Sequence, residues 1–305
     1  MTAETTRIGI DLGGTNIAAI ALDRGGEVRH AHRVDTPVGD YEATVEAIAA
    51  LVEGAERALQ ARATVGIAAP GARSLVTGRM KNANSTCLND RALKEDLEAR
   101  LAREVRLEND ANCFALSEAV DGAARDAPVV FGVILGTGVG GGIVVDRRVV
   151  TGANAIGGEW GHNALPLAGP GDHPLPTCYC GRRGCIETYL SGPGMARDHE
   201  RVTGQSLDAA AIARRAQDGD AGARATLARY EERLARSLAA VINLLDPHVI
   251  VLGGGLSRIA SLYDSVPRLW PTHVFSDEIR TRLAPPVHGD ASGVRGAAWL
   301  WGGPP

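Results

Sequence analysis

Residues 105–110, Val105-Arg106-Leu107-Glu108-Asn109-Asp110, decide how the rest of the chain is read. A short apolar strand signal closes on a polar tip, and a helical pattern begins at Ala111 and continues through Phe114, Ala115 and Glu118. The carboxylate of Asp110 is therefore expected at the mouth of a strand-to-helix turn, where open α/β sheets present their chemistry. Asn109 beside it carries both a donor and an acceptor. An Asn-Asp pair also caps helices, so taken alone the stretch supports a structural role as readily as a chemical one. Three other features favour chemistry: a glycine-rich turn near the N-terminus, a second one in mid-chain, and a Cys/His cluster.

The first glycine turn is Asp11-Leu12-Gly13-Gly14-Thr15-Asn16, between the apolar runs Arg7–Ile10 and Ile17–Leu22. This pattern reads as a β-hairpin. Its glycines let backbone N–H groups point into one concavity, an anion nest. Thr15 adds a hydroxyl, and Asp11 a carboxylate suited to hydrated Mg²⁺ beside phosphates. It is not a Walker loop, since no Gly-Lys-Ser/Thr follows. The strand Val129–Leu135 runs into Gly136-Thr137-Gly138-Val139-Gly140-Gly141-Gly142 and then Ile143–Val145, a second hairpin of the same kind. One glycine hairpin per half suggests two similar α/β domains holding one polyphosphate.

Between and beyond these turns the pattern is ordinary α/β. Val45, Ile48, Leu51, Val52 and Leu59 fall at helical spacing within Tyr41–Arg62. Thr64–Ala69 reads as a strand stopped by Pro70-Gly71, a turn at a strand's carboxyl end. Lys81-Asn82-Ala83-Asn84-Ser85 is a polar loop whose amides suit hydroxyl recognition, and Arg91–Glu104 is a second amphipathic helix. Later, Asp208–Asp218 and Ala221–Leu245 are helical, Val249–Leu252 is a buried strand entering Gly253-Gly254-Gly255, and Gly293–Trp301 is a helix expected to pack on the first domain. Glycines at 253–255 let a base or ribose lie against backbone.

Cys178-Tyr179-Cys180-Gly181-Arg182-Arg183-Gly184-Cys185 has the spacing of a metal knuckle, and one histidine completes a Cys₃His zinc set. The fourth ligand is His162, from Gly157-Gly158-Glu159-Trp160-Gly161-His162, or His173. Four protein ligands leave no open position, so the expected zinc is structural. Glu187 follows the knuckle directly and would be held in place by it.

The totals bound the partners. With 305 residues, 45% hydrophobic and 22% charged, the chain suits a soluble protein of two domains. A net charge of −4 and no basic stretch argue against nucleic acid. No apolar run is long enough to cross a bilayer, and no signal-peptide core is present, so a cytoplasmic location is expected. Five cysteines, three of them clustered, favour metal over disulfides.

Several motifs resemble the ROK family (repressors, open reading frames, kinases) within the sugar kinase/actin/Hsp70 superfamily. They are Asp-x-Gly-Gly-Thr at residues 11–15, Glu-Asn-Asp-Ala-Asn at 108–112, Leu-Gly-Thr-Gly-Val-Gly-Gly-Gly at 135–142, Gly-Glu-x-Gly-His at 158–162 and Cys-x-Cys-Gly-x-x-Gly-Cys-x-Glu at 178–187. At finer grain, residues 81–86, 117–122 and 293–299 resemble bacterial fructokinases of the manno(fructo)kinase type. The resemblance implies a two-domain ribonuclease H-like fold with the active-site cleft between domains. The expected division is 1–120, completed by a C-terminal helix at 291–305, and 121–290 with the knuckle at 162–187. It implies ATP-dependent phosphorylation of a free hexose at its 6-hydroxyl, with fructose or mannose expected and glucose or an N-acetylhexosamine as the alternative. By that resemblance Asp110 is the general base. Gly71, Asn84, Asn109, Glu159, His162 and Glu187 line or bind the sugar, and His162 serves zinc through its other ring nitrogen. Asp11, Gly13, Gly14, Thr15 and Asn16 hold phosphates and Mg²⁺ together with Gly136, Thr137 and Gly138, while Gly253, Gly254 and Gly255 face the adenosine. A homodimer is also implied. The loop between His162 and Cys178, with Pro166, Pro170, Pro174 and Pro176, departs from the pattern by its length. A sugar-responsive repressor would need a DNA-binding helix-turn-helix before the first strand, where only six residues stand before Arg7.

Overall fold

The structure, a computed structural model, describes residues 6–303. The chain begins with strands β1 (Arg7–Leu12), β2 (Asn16–Leu22) and β3 (Val28–Asp35). β1 and β2 pair antiparallel from Arg7↔Leu22 to Leu12↔Ile17, which leaves Gly13–Thr15 as the turn. Helix α1 (Tyr41–Leu59) follows, its first turn capped by the Asp40 side chain accepting from the Ala43 amide. Then come β4 (Thr64–Ala69), the two-residue strands β5 (Ala72–Arg73) and β6 (Met80–Lys81), α2 (Leu93–Leu101), β7 (Val105–Asn109) and α3 (Asp110–Val120). β4 runs parallel to both β1 and β7, and the sheet order is β3-β2-β1-β4-β7.

The second half repeats this plan. β8 (Val129–Leu135), β9 (Val139–Val145) and β10 (Arg148–Val149) lead through a long connection to α4 (Glu187–Leu190), α5 (Gly192–Thr203), α6 (Ala209–Gln217) and α7 (Ala221–Leu245). β11 (Val249–Gly253), α8 (Leu262–Leu269), β12 (Arg282–Ala284) and α9 (Ser292–Trp299) complete the chain. The order is β10-β9-β8-β11-β12, with β11 parallel to β8 and β12. Two five-stranded sheets of matching order are the duplication that the paired glycine hairpins predict, in the ribonuclease H-like plan that the family resemblance implies.

Two compact units result. The first comprises residues up to Asp126, Gly142–Gly157 and residues from Val287 on; the second comprises Ala127–Gly141 and Gly158–Pro286. The division expected from sequence gave 121–290 entirely to the second domain. Buried polar contacts account for the difference. Glu118, fully buried, accepts from the amides of Val287 and His288 and from the Ser292 hydroxyl. Thr151 donates to Glu108 at 2.9 Å. These carboxylates hold 151 and 287–292 to the first unit.

Helix α9 belongs to the first unit. It lies close enough that a Cβ on Gly66 would sit 1.9 Å from the Ala297 carbonyl oxygen, and one on Gly296 would sit 1.7 Å from that of Cys113. Glycine is therefore the only residue either position can hold without moving the helix. Trp301 locks the end by donating its indole N–H to the Val65 carbonyl at 2.7 Å.

Candidate active site

On the first unit, β7 ends at Asn109 and α3 starts at Asp110. Asn109 is the helix cap: its Oδ1 accepts from the amides of Ala111 and Asn112 at 2.9 and 3.3 Å. Its Nδ2 donates to the Gly71 carbonyl at 2.9 Å. Asp110 shares in the cap, its Oδ1 accepting from the Ala111 amide at 2.8 Å. Asn109 fixes the turn, and Asp110 presents its carboxylate from the first helical position, where the helix dipole favours negative charge. Gly71 has φ +77°, and a Cβ there would lie 2.4 Å from the Lys81 carbonyl oxygen. That turn therefore requires glycine, and it joins the 81–85 loop to the end of β7 through the Asn109–Gly71 bond. Asn84 in that loop is exposed and accepts from the Ser85 amide. Asn89, which the sequence did not single out, holds the loop by both accepting from and donating to Ala83. Glu108 braces the strand tip, accepting from Asn112 Nδ2 at 3.0 Å and from Thr151.

The Asp11 turn belongs to the same unit. Burial, reinforced by the neighbouring Asp110 charge and partly offset by Arg33, pushes the Asp11 carboxyl up to about 6. Two carboxylates within electrostatic range, one of them destabilised in its charged form, suit a divalent cation. In the turn itself the Gly13 amide donates to the Asn16 carbonyl at 3.0 Å, and Thr36 grips the turn through the carbonyls of Gly13 and Thr15. None of these bonds uses the amides of Gly14 or Thr15. A Cβ on Gly14 would meet nothing within 4 Å, so protein packing does not demand glycine there. Open space above a glycine turn fits an oxyanion approaching the backbone.

On the second unit, the Gly136–Gly138 turn repeats this form. The Gly136 amide donates to the Gly138 carbonyl at 3.0 Å, Thr137 is exposed, and a Cβ on Gly136 would again meet nothing. Glu187, at the start of α4, accepts from the Val139 amide at 3.0 Å, which ties this carboxylate to the glycine turn. Glu159 and His162 flank a tight turn whose anchor is Trp160. The indole donates to the Gly140 carbonyl at 3.0 Å and packs edge-on against Phe131. Gly254 has φ +78°, with the Ser257 hydroxyl donating to its carbonyl; Gly255 is exposed.

The ligand atoms of His162, Cys178, Cys180 and Cys185 all lie within 4.8 Å of one another. Cys178 Sγ is 3.6 Å from His162 Nδ1, and Cys180 Sγ is 3.6 Å from Cys185 Sγ. A tetrahedron with Zn–S bonds of about 2.3 Å has edges of about 3.8 Å, so the donor set and spacing fit zinc. His162 Nε2 meets the Tyr179 hydroxyl at 2.9 Å, leaving Nδ1 for the cluster. His173 is exposed and is not among the clustered groups. A hydrogen bond from the Arg182 amide lowers the Cys180 thiol from its ordinary value, which favours the thiolate form that a metal ligand needs.

Residues 7–303 match the ROK family. The chain belongs to the ROK family. It is a sugar kinase of that family. An N-acetyl-D-glucosamine kinase of Shigella flexneri serotype 5b is 42% identical over 296 residues, 96% of this chain and 98% of that protein. That of Erwinia tasmaniensis is 44% identical over the same span. Among solved structures, the ROK hexokinase from Thermus thermophilus superposes with a TM-score of 0.84 at 31% identity, covering 96% of this chain and 97% of that one. A ROK family glucokinase from Streptomyces griseus, in complex with glucose and AMPPNP, gives 0.78 at 28%, covering 97% and 98%. Two of these relatives are named for N-acetyl-D-glucosamine, one for glucose and one for hexoses in general, and none of the four is named a fructokinase. Among the described residues no helix is long and apolar enough to cross a membrane.

Proposed function

We propose that this protein transfers the γ-phosphoryl group of Mg-ATP to the 6-hydroxyl of a free N-acetylhexosamine, with N-acetyl-D-glucosamine as the preferred acceptor. The observation that carries the chemistry is the carboxylate of Asp110 at the strand-to-helix turn, close enough to Asp11 to disturb its ionisation. Phosphoryl transfer asks mainly for positioning and charge stabilisation, with one group to accept the hydroxyl proton. Asp110 takes that proton. Asp11 holds Mg²⁺ through water, and the glycine turns at 13–16 and 136–138 receive phosphate oxygens. Gly253–Gly255 supports the adenosine. Gly71, Asn84, Asn109, Glu159, His162 and Glu187 bind or border the sugar. The choice of acceptor rests on relatives 42–44% identical over nearly their whole length, which outweighs the short fructokinase-like stretches at 81–86, 117–122 and 293–299.

A coupled ADP-release assay with N-acetylglucosamine, N-acetylmannosamine, glucose, mannose and fructose tests this directly. The expected order of kcat/KM places N-acetylglucosamine first by at least about tenfold, since a site built to pair with a substituent penalises its absence. A preference for fructose or mannose would overturn the acceptor assignment and return attention to residues 81–86. No turnover of any sugar would overturn the kinase chemistry.

The Cys/His cluster is proposed to hold structural zinc. Cys180→Ser should lose the metal, counted by elemental analysis, and weaken sugar binding about tenfold or more, because metal binding is coupled to local folding. Full activity in a metal-free variant would refute the assignment.

A further inference from the structure

The function described above leaves the loop between His162 and Cys178 without a task. It is not loose. Asp172 is buried at 7% exposure and takes Arg233 Nε at 2.8 Å and Arg236 Nη2 at 3.0 Å from α7. Its Oδ2 also accepts from the Gly169 amide at 2.9 Å. Arg236 Nη1 donates to the carbonyls of Pro166 and Leu167, and Arg233 and Arg201 both donate to that of Gly171. Asp198 on α5 shares Arg233, at 3.2 Å, with the loop. Three arginines therefore fasten the loop to two helices; the buried carboxylates of Asp172 and Asp198 offset part of their charge, and Glu232 pairs with Arg236. Despite their burial, the Gly169 amide and Arg233 and Arg236 lower the Asp172 carboxyl from its ordinary value, and Arg233 and Arg201 lower that of Asp198.

From this clamp one hydrogen bond leaves toward the site. The Tyr189 hydroxyl, in a side chain only 4% exposed, donates to the Asp172 carbonyl at 2.8 Å, while Arg233 lies over its ring. Tyr189 is two residues beyond Glu187 on the one-turn helix α4, which starts immediately after Cys185 and Ile186. The other strands of contact run the same way. Leu165 and Ile186 pair across to Gly184 and Asn163, and Gly184 donates to Pro176. The loop thus touches the segment on both sides of the cysteine cluster, at 163–165 and at 184–189.

We propose that Asp172 and Tyr189 are positioning residues: the arginine-clamped loop, through the Asp172 carbonyl and the Tyr189 hydroxyl, fixes α4 and so holds Glu187 where the sugar is bound. This rests on the sugar-binding assignment of Glu187 made above. A four-residue helix has no stability of its own, so its orientation must come from such tethers. The short reach from tether to carboxylate makes Glu187 responsive to the loss of one hydroxyl.

The test is Tyr189→Phe in the full-length, metal-loaded protein, with Ser237→Ala as control. Ser237 is fully buried and donates to the Arg233 carbonyl at 2.8 Å, so the control also loses a buried hydroxyl bond, but one within α7. Tyr189→Phe is expected to raise the KM for the best sugar about tenfold with kcat within about twofold. Amide hydrogen exchange over 186–190 is expected to quicken about tenfold, and neither change should appear in Ser237→Ala. Asp172→Asn, which weakens the clamp itself, should move both readouts in the same direction. Wild-type KM and wild-type exchange in Tyr189→Phe would overturn the proposal. Equal changes in Tyr189→Phe and the control would reduce it to general destabilisation and overturn it as well. Should the wild-type protein turn over no sugar, the kinase reading falls, and the exchange comparison decides the tether independently.

Discussion

Asp110→Asn is expected to lower kcat by about 10²-fold or more while leaving the sugar KM within about tenfold. The substitution keeps the shape of the side chain and removes its capacity to accept a proton. Its surroundings should survive, because Asn109 holds the turn through its cap and its bond to the Gly71 carbonyl, and the Asp110 Oδ1 that also accepts from the Ala111 amide is kept as an amide oxygen. An amide at the first position of α3 gives up a favourable interaction with the helix dipole, about 0.3–1 kcal/mol. It also relieves Asp11 of a like charge, so the net change in stability should be small. A loss of 10² in kcat corresponds to about 2.7 kcal/mol of transition-state stabilisation, far more than either effect. Steady-state kinetics with the best sugar, alongside thermal unfolding, checks both halves. A kcat within about threefold of wild type would remove Asp110 from the role of base.

Much of this arrangement was legible in the sequence, and the limits have physical causes. The hairpin turns, β4, β8 and the full span of α7 follow from apolar runs bounded by glycine, Pro-Gly or Asp, all local signals. β3 was not legible. Val28–Asp35 reads Val-Arg-His-Ala-His-Arg-Val-Asp, almost wholly exposed, and it is a strand because β2 offers it an edge. No apolar alternation marks a strand of that kind. Helix α5 begins Gly-Pro-Gly and looks like loop; the Ser191 hydroxyl accepting from the Gly194 amide starts it. In the site, Asp110, the glycine turns and the Cys/His cluster were visible as residue types at fixed spacing. Their supports were not. Asn89 on Ala83, Trp160 on Gly140, Glu108 on Thr151 and the arginines on Asp172 all join residues whose adjacency only the fold creates. The same is true of the segment 142–157, which passes to the first unit through a threonine 43 positions from its carboxylate.

Asp11→Asn is expected to do the opposite of most substitutions: stabilise the protein at pH 8 while nearly abolishing phosphoryl transfer. The Asp11 carboxyl titrates near 6 in the folded chain against an ordinary value of 3.8, because it is buried and faces Asp110. A folded-state value above the unfolded one means that the folded protein prefers the protonated acid. Stability from this group is therefore fully present below about pH 4 and is lost as pH rises through about 6. At pH 8 the ionised group costs up to about 3 kcal/mol, from roughly two units at 1.36 kcal/mol each. Asparagine cannot ionise, so the variant escapes that cost. Urea unfolding of both proteins at pH 4.5 and pH 8 should show a gap of about 1–3 kcal/mol in favour of the variant at pH 8, shrinking at the lower pH. Mg-ATP should narrow the gap at pH 8, because a bound cation offsets the charge only where Asp11 can carry one. A charge kept at an energetic loss is what a cation site requires, and removing it exchanges function for stability. An Asp11→Asn protein no more stable than wild type at pH 8 would show that the pair is already neutralised by the fold, and would remove Asp11 as the Mg²⁺-holding group.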